Sequence, residues 1–241
     1  MNYYFITGTS SGLGKALAEA LLEDANNTVI GVSRRQTIDH DRYAHVTLDL
    51  GNLSEVQAEL PGLFFRVKDA ERLVLINNAG TLGQVGYVGS LDNAALMQAF
   101  HVNITSVALL TNEFIRRYGH VDAPKTVINI SSGAGQKPTD GWSAYCATKA
   151  ALDMFSRVID EEVQRSRMNL RIFSVAPGIV DTEMQSELRD TAPEGFSRHA
   201  QFVAYKSEGQ LVSPEAVAQK YLYLLAHEDQ FEDVVLSVRN F

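Results

Sequence analysis

Residues 3 to 22, YYFITGTSSGLGKALAEALL, restrict what this chain can fold into more than any other stretch. A short aromatic and β-branched run enters a glycine-rich segment, and Leu13, Ala16, Leu17, Ala20 and Leu21 follow at helical spacing. The unit is strand, tight turn, helix, and it recurs along the chain. Further apolar runs stand at TVIGVS, HVTL, LVLI, TVINI, LRIFSVA and DVVLSV, with helical patterns between them. Runs without polar alternation belong to strands buried on both faces, and strict alternation with helices implies a parallel sheet covered on both sides. The expected fold is therefore α/β: a doubly wound parallel sheet of about seven strands, filling one domain over residues 1–241.

The connecting segments carry their own signals. Residues 54 to 70 read as a helix that Pro61-Gly62 breaks or bends, and 81 to 91 as a glycine-rich loop. Residues 92 to 118 read as one long helix, and 143 to 164 as another. The mixed, polar stretch 183 to 212, with Pro193-Glu194-Gly195, reads as a helical excursion over the site, a lid. Ser213-Pro214-Glu215 supplies an N-cap, a first-position proline and a first-turn acid for the helix after it.

A net charge of −8 argues against nucleic acid or an anionic membrane as the main partner. The single cysteine, Cys146, forms no internal disulfide and suits a reducing cytoplasm. Its position beside Tyr145 invites a nucleophile reading, but a small helix residue packing on a neighbour is the expectation. MNYYFITGT enters a strand at once, with no basic-then-apolar leader, and no run of 18 or more apolar residues is present.

A strand feeding a glycine-rich turn and a helix N-terminus is a phosphate site, because glycines let the backbone approach and free amides favour the negative charge. Gly8, Ser10, Gly12 and Gly14 form that turn, with Ile6 and Leu13 beside it. Three similar motifs are rejected. Gly8-x-Ser10-x-Gly12 matches a nucleophile elbow but follows the first strand and lacks an ordered acid–histidine pair. Gly14-Lys15 has Thr9 and Ala16 where a P-loop needs Gly and Ser/Thr. The G-x-G-x-x-G spacing is also absent; the observed form is T-G-x-x-x-G-x-G. After the second strand, Ser33-Arg34-Arg35 offers two guanidiniums and no acid, which favours a 2′-phosphorylated dinucleotide, NADP(H), over NADH. Asp49 is a candidate wall for the adenine, and Asn77 with Asn78, Ala79 and Gly80 ends the fourth strand at the cofactor wall.

Tyr145 and Lys149 lie four apart on a helix and so share one face. A neighbouring ammonium is expected to pull the phenol down from about 10, making it a usable proton donor and acceptor. Ser132, at the end of the preceding strand, is placed to hold a substrate oxygen. Asn103 sits among Phe100, Val102, Ile104 and Val107 and needs partners if buried.

Taken together, Thr7-Gly-x-x-x-Gly-x-Gly14, Asn77-Asn-Ala-Gly80, Asn103, Ser132, Tyr145-x-x-x-Lys149 and Pro177-Gly178 resemble a short-chain dehydrogenase/reductase over nearly the whole chain. TGTSSGLG, GVSRR and PGIVDTEMQ resemble its sepiapterin reductase and bacterial benzil reductase branch. The resemblance implies a Rossmann-type NADPH-dependent carbonyl reductase. In it, Tyr145 protonates the carbonyl oxygen, Lys149 lowers its pKa and holds the nicotinamide ribose, Ser132 polarises the substrate, and Asn103 keeps a water linking Lys149 to solvent. It further implies that Gly8 to Gly14 cradle the pyrophosphate, Arg34 and Arg35 take the 2′-phosphate, and Asp49 reaches the adenine. Asn78 to Gly80 line the ribose, and Pro177, Gly178, Val180 and Thr182 meet the nicotinamide end. No metal is expected. A homodimer or homotetramer through helices 92–118 and 143–164 is implied, in the cytoplasm, acting on a small carbonyl compound. VVLSVRNF lacks the carboxylate with which sepiapterin reductases anchor a pterin, so a 1,2-dicarbonyl is favoured. Pterin, other ketones and 3-oxoacyl thioesters remain open, as does a non-catalytic NADPH sensor.

Overall fold

All seven apolar runs become strands of one parallel sheet in the order β3-β2-β1-β4-β5-β6-β7. The fold is a computed structural model that describes residues 1–67 and 69–241. The strands are β1 Asn2–Thr7, β2 Asn27–Ser33, β3 Tyr43–Thr47, β4 Arg72–Asn77, β5 Lys125–Ile130, β6 Leu170–Ala176 and β7 Val235–Ser237. The helices are α1 Gly12–Leu22, α2 Leu53–Leu63, α3 Asn93–Phe100, α4 Ser106–Tyr118, α5 Ser143–Ser166, α6 Glu183–Asp190, α7 His199–Ser207 and α8 Pro214–Ala226. A doubly wound Rossmann-type sheet is therefore what these residues build.

Successive strand residues point to opposite faces, and in β1 both faces are core. Ile6 joins Leu17, Val29, Ile76 and Phe173 beneath α1 and α8. Phe5 joins Ile30, Leu75, Val127, Leu110, Phe114 and Ile159 beneath α4 and α5. Helix ends follow their capping residues: Asn52, Asp92 and Ser213 accept from the backbone amides of Glu55, Ala95 and Ala216. The expected Ser213 cap with Pro214 in the first turn is present.

Three expectations are corrected. The helix placed over 54 to 70 spans Leu53–Leu63 and carries Pro61 within its last turn; Lys68, inside the expected range, lies outside the described residues. The chain leaves the helix to bury Phe64 against Phe5 and Phe114, with ring centroids 5.1 and 5.7 Å apart. The helix over 92 to 118 is not uniformly α, because a π turn occupies His101–Thr105 between α3 and α4. The 26 residues Asn93–Tyr118 are apolar and long enough to cross a bilayer by length and composition, yet Leu110 and Phe114 are fully buried against the sheet. The last strand is shorter than DVVLSV, since Val238–Asn240 forms a 3₁₀ turn.

Candidate active site

Strand order reverses across β1, which pairs with β2 on one side and β4 on the other. Ligands of open α/β sheets bind outside the carboxyl ends of strands at such a point. Here the two strand ends are clasped together. The Thr7 hydroxyl accepts from the amides of Asn78 and Ala79, both at 2.9 Å, and Asn78 Nδ2 donates back to the Thr7 carbonyl at 2.9 Å. Asn78 thus spends its amide on the β1 turn. Gly8 takes φ +75°, and a Cβ there would stand 2.8 Å from Asn78 Nδ2. At Gly14 a Cβ would stand 2.3 Å from the Gly8 carbonyl oxygen. Glycine is required at both for close packing of turn, helix and neighbouring loop.

The first turn of α1 differs from those of α2, α3 and α8: Ser11 makes no side-chain cap. Its amides keep their hydrogen-bonding capacity and the helix dipole faces the turn. Thr182 lies over this end, its methyl 3.2 Å from where a Gly12 Cβ would be. The 34–37 loop is tied to the same turn by the Thr37 hydroxyl, which donates to the carbonyls of Ser10 (3.1 Å) and Thr9 (3.4 Å). Arg34 and Arg35 are exposed there, and neither guanidinium has a side-chain partner among the described residues. Beneath the turn, the Thr9 hydroxyl meets the Tyr43 phenol at 2.8 Å, above Gly31.

Other expected cofactor residues are placed differently from one another. Ile6 is fully buried and Leu13 nearly so, both in the core under the turn. Asp49 accepts from the Gly51 amide at 2.9 Å and lines a cavity of about 440 Å³ together with Gln98 and His101. Val180 buries its side chain in the core, and its backbone bridges to Val212 at the far end of the 183–212 segment. Gly178 is exposed with φ +77°, directly after Pro177 and β6.

The second half of the site grows from β5 and α5. Ser132 follows β5, and its hydroxyl accepts from the Ala134 amide at 3.2 Å. Tyr145 stands in the first turn of α5 and is 7% exposed; Lys149, one turn on, is 4% exposed. Lys149 Nζ donates to the Ile130 carbonyl at 2.7 Å and lies 5.6 Å from the Tyr145 ring centroid. Burial pushes the Tyr145 phenol above its ordinary range, and the Ser132 hydroxyl draws it partly back. Burial also pulls the Lys149 ammonium down to about 8, against the opposing pull of Asp153. The expectation that the lysine depresses the tyrosine is corrected: burial is the largest influence on the phenol and raises it, and the one group that lowers it is the Ser132 hydroxyl, not Lys149. A neutral phenol is the form that gives a proton away.

Asn103, 1% exposed, is satisfied by partners that the sequence did not reveal. Its Nδ2 donates to the Thr81 carbonyl at 2.8 Å and the Thr148 hydroxyl at 3.2 Å, and its Oδ1 accepts from the Thr81 amide at 2.9 Å. The π turn carries Asn103 into this position, and π turns concentrate at functional sites. Gly80 lies between Asn103 and Lys149, a Cβ there being 3.5 Å from Asn103 Oδ1 and 3.7 Å from Lys149 Nζ.

Above Tyr145 stands an aromatic cluster. Trp142 packs on Tyr145, Phe196 and Phe202 with centroids 5.8, 5.7 and 5.2 Å away, joined by Leu82 and Leu188. Phe196 and Phe202 come from the 183–212 segment, so that segment rests on the N-terminal end of α5. Sequence reasoning missed Trp142, whose only signal was a large aromatic three residues before the tyrosine.

The family model "short chain dehydrogenase" matches residues 2–193. Among curated proteins, "Benzil reductase ((S)-benzoin forming)" of Bacillus cereus is 37% identical over 248 residues, covering 99% of each chain. "Sepiapterin reductase" of Rattus norvegicus is 36% identical, covering 92% of this chain and 90% of its own. A short chain dehydrogenase/reductase from Saccharomyces cerevisiae superimposes with a TM-score of 0.83 at 27% identity, over 99% of this chain and 96% of its own.

Proposed function

The chain belongs to the short-chain dehydrogenase/reductase family of oxidoreductases, which use nicotinamide cofactors, and from that premise we propose an NADPH-dependent carbonyl reductase. Its substrate is a 1,2-dicarbonyl of benzil type, reduced to an α-hydroxy ketone. The observation that carries the reading is the buried Tyr145 phenol, set beside the Ser132 hydroxyl and Lys149 under an aromatic roof.

The residues present fit a dinucleotide. At Gly8 and Gly14 a Cβ would collide with the clasped strand ends, and the first amides of α1 lack a side-chain cap. In this reading Gly8, Ser10, Gly12 and Gly14 hold the pyrophosphate, and Arg34 and Arg35 meet the 2′-phosphate, which selects NADPH. Asp49 faces the adenine, Ala79 and Gly80 the ribose, and Pro177, Gly178 and Thr182 the nicotinamide end. When bound, the coenzyme supplies the hydride.

The chain's own groups do the rest. Ser132 donates to the substrate oxygen and polarises the carbonyl. Tyr145 delivers its phenolic proton to that oxygen as negative charge develops on it. Lys149 stabilises the resulting phenolate and holds the ribose. Asn103 keeps a water by which Lys149 returns the proton from solvent. The 183–212 segment is a lid, and Trp142, Phe196 and Phe202 exclude water and favour a flat, apolar substrate. Against a pterin, the C-terminal end near Gly178 brings Arg239, its Nε 3.4 Å from where a Gly178 Cβ would be; sepiapterin reductases place a carboxylate near the C-terminus.

A dimer or tetramer through α3–α4 and α5 belongs to the same reading, supported by Met97, Met154 and Val158 exposed on those helices. So does a cytoplasmic location, supported by one cysteine, Cys146, left as a free thiol. The test is loss of NADPH absorbance with diketones, pterins and acyl thioesters, for the wild type and Tyr145→Phe. Diketone turnover lost by at least about 10²-fold in the variant, with NADPH still bound, is expected. Unchanged turnover in Tyr145→Phe would refute the mechanism, and preference for a pterin or thioester would refute the substrate.

A further inference from the structure

One buried carboxylate on α5 itself has no part in the mechanism above. Asp153 lies one turn beyond Lys149 on α5 and is 5% exposed. Its Oδ1 accepts two hydrogen bonds at 2.6 Å, from Ser131 on the strand end that carries Ser132 and from Ser174 in β6. Its Oδ2 is buried with no hydrogen-bond partner among the described residues. That oxygen faces Gly135, where a Cβ would come within 3.0 Å of it and 2.9 Å of the Lys149 backbone carbonyl. A carboxylate this deep, with one oxygen left unsolvated, is costly unless a positive charge shares its surroundings. Lys149 is the buried cation one turn away on the same helix face.

We propose that Asp153 is a positioning residue of the reductase centre: it supplies the buried negative charge that keeps the Lys149 ammonium protonated, and it fixes Ser131 and hence the Ser132 strand end. The inference rests on the reductase reading of Tyr145 and Lys149.

The charged and titratable neighbours are few. Tyr145 faces Lys149 from its own helix and is neutral; Cys146, next in sequence, acts on the phenol by raising it. Among the described residues, Asp153 is the one charged side chain that acts on the lysine's proton affinity, opposing burial. From β5, β6 and the Gly133–Gly135 turn, the groups that face this pair are Ser131, Ser174, the Ile130 carbonyl and Gly135, and none of these carries a charge.

Asp153→Asn tests the charge alone. The amide oxygen keeps both serine bonds, and Nδ2 replaces the oxygen that has no partner. Removing a negative charge one helical turn from an ammonium lowers the pH at which that ammonium deprotonates by roughly one to two units at an effective dielectric near 20. The alkaline limb of kcat/KM should therefore move down by about that much, with turnover below it retained, and Asp153→Glu should restore most of the shift. Asp153→Ser, which removes the charge but leaves a hydroxyl for the serines, serves if the amide is not tolerated. A profile in either charge-removing variant that superimposes on the wild type, whatever happens to Tm, overturns the inference. If the wild type itself oxidises no NADPH with any carbonyl compound, the reductase reading has failed instead.

Discussion

Replacing Lys149 by methionine should stabilise the ligand-free protein while silencing it. Burial holds the Lys149 ammonium at about 8 rather than 10.5. At about 1.36 kcal/mol per unit, that depression, which already counts the favourable pull of Asp153, costs the folded state about 3 kcal/mol. The sign follows from proton counting. Between these two values the unfolded chain holds the proton and the folded chain does not, so stability rises with pH across that window. Below about pH 8 the full cost is present. Methionine fits the slot without a charge but forfeits the charge-assisted bond from Nζ to the Ile130 carbonyl, worth about 2 kcal/mol. A net gain of about 1 kcal/mol remains, or a Tm rise of about 2–4 °C for a chain of this size. Thermal unfolding without coenzyme, followed well below and well above pH 8, reads the effect, and NADPH oxidation reads activity. The gain should be largest at the lower pH and vanish at the higher. A lower Tm below pH 8, or a difference independent of pH, would refute the assignment of the cost to the buried ammonium.

Other substitutions isolate other parts. Arg34→Ala should raise KM for NADPH at least about tenfold, the loss of one charge-assisted contact, and leave NADH kinetics little changed; equal effects on both coenzymes would remove the 2′-phosphate assignment. Gly31→Ala puts a methyl 2.0 Å from the Tyr43 hydroxyl and 2.6 Å from the Thr9 hydroxyl, so denaturant unfolding should show a loss of about 1–3 kcal/mol; an unaltered midpoint would mean the buried pair has room that the geometry denies. Trp142→Ala removes the ring on which Phe196 and Phe202 rest. Proteolysis within 183–212 should then quicken and KM for an aromatic diketone rise, and unchanged values of both would dissociate the aromatic roof from lid closure.

Much of this architecture was legible in the sequence, for identifiable reasons. Parallel strands buried on both faces leave continuous apolar runs, so the sheet could be traced from YYFIT to DVVLSV. Tyr145 and Lys149 were visible because a helix turns a spacing of four into adjacency. What escaped notice depends on distance in space. Thr81, Thr148, Thr37, Ser131 and Ser174 carry the hydroxyl and backbone partners that organise the site, and nothing local separates them from other polar residues. The tyrosine's proton affinity is hidden for the same reason: the neighbouring charge is written in the sequence, whereas desolvation, the largest influence on it, is set by the whole fold. A single extra residue in a helical turn, as at His101–Thr105, is invisible to periodicity because apolar residues flank it on both sides.

That extra residue has a geometric consequence. Each α-helical residue turns the chain by about 100°, so a one-residue insertion puts the two halves of the long helix out of phase by that angle. The half before it offers Met97 outward, while the half after it drives Leu110 and Phe114 into the sheet. Deleting one position in the interval would restore a continuous spiral, but it would swing the amide of residue 103 away from Thr81 and carry the outer face of α3 round the axis. The π turn therefore couples the geometry of the chemical centre to the orientation of a surface less than two turns away, and neither can be redesigned alone.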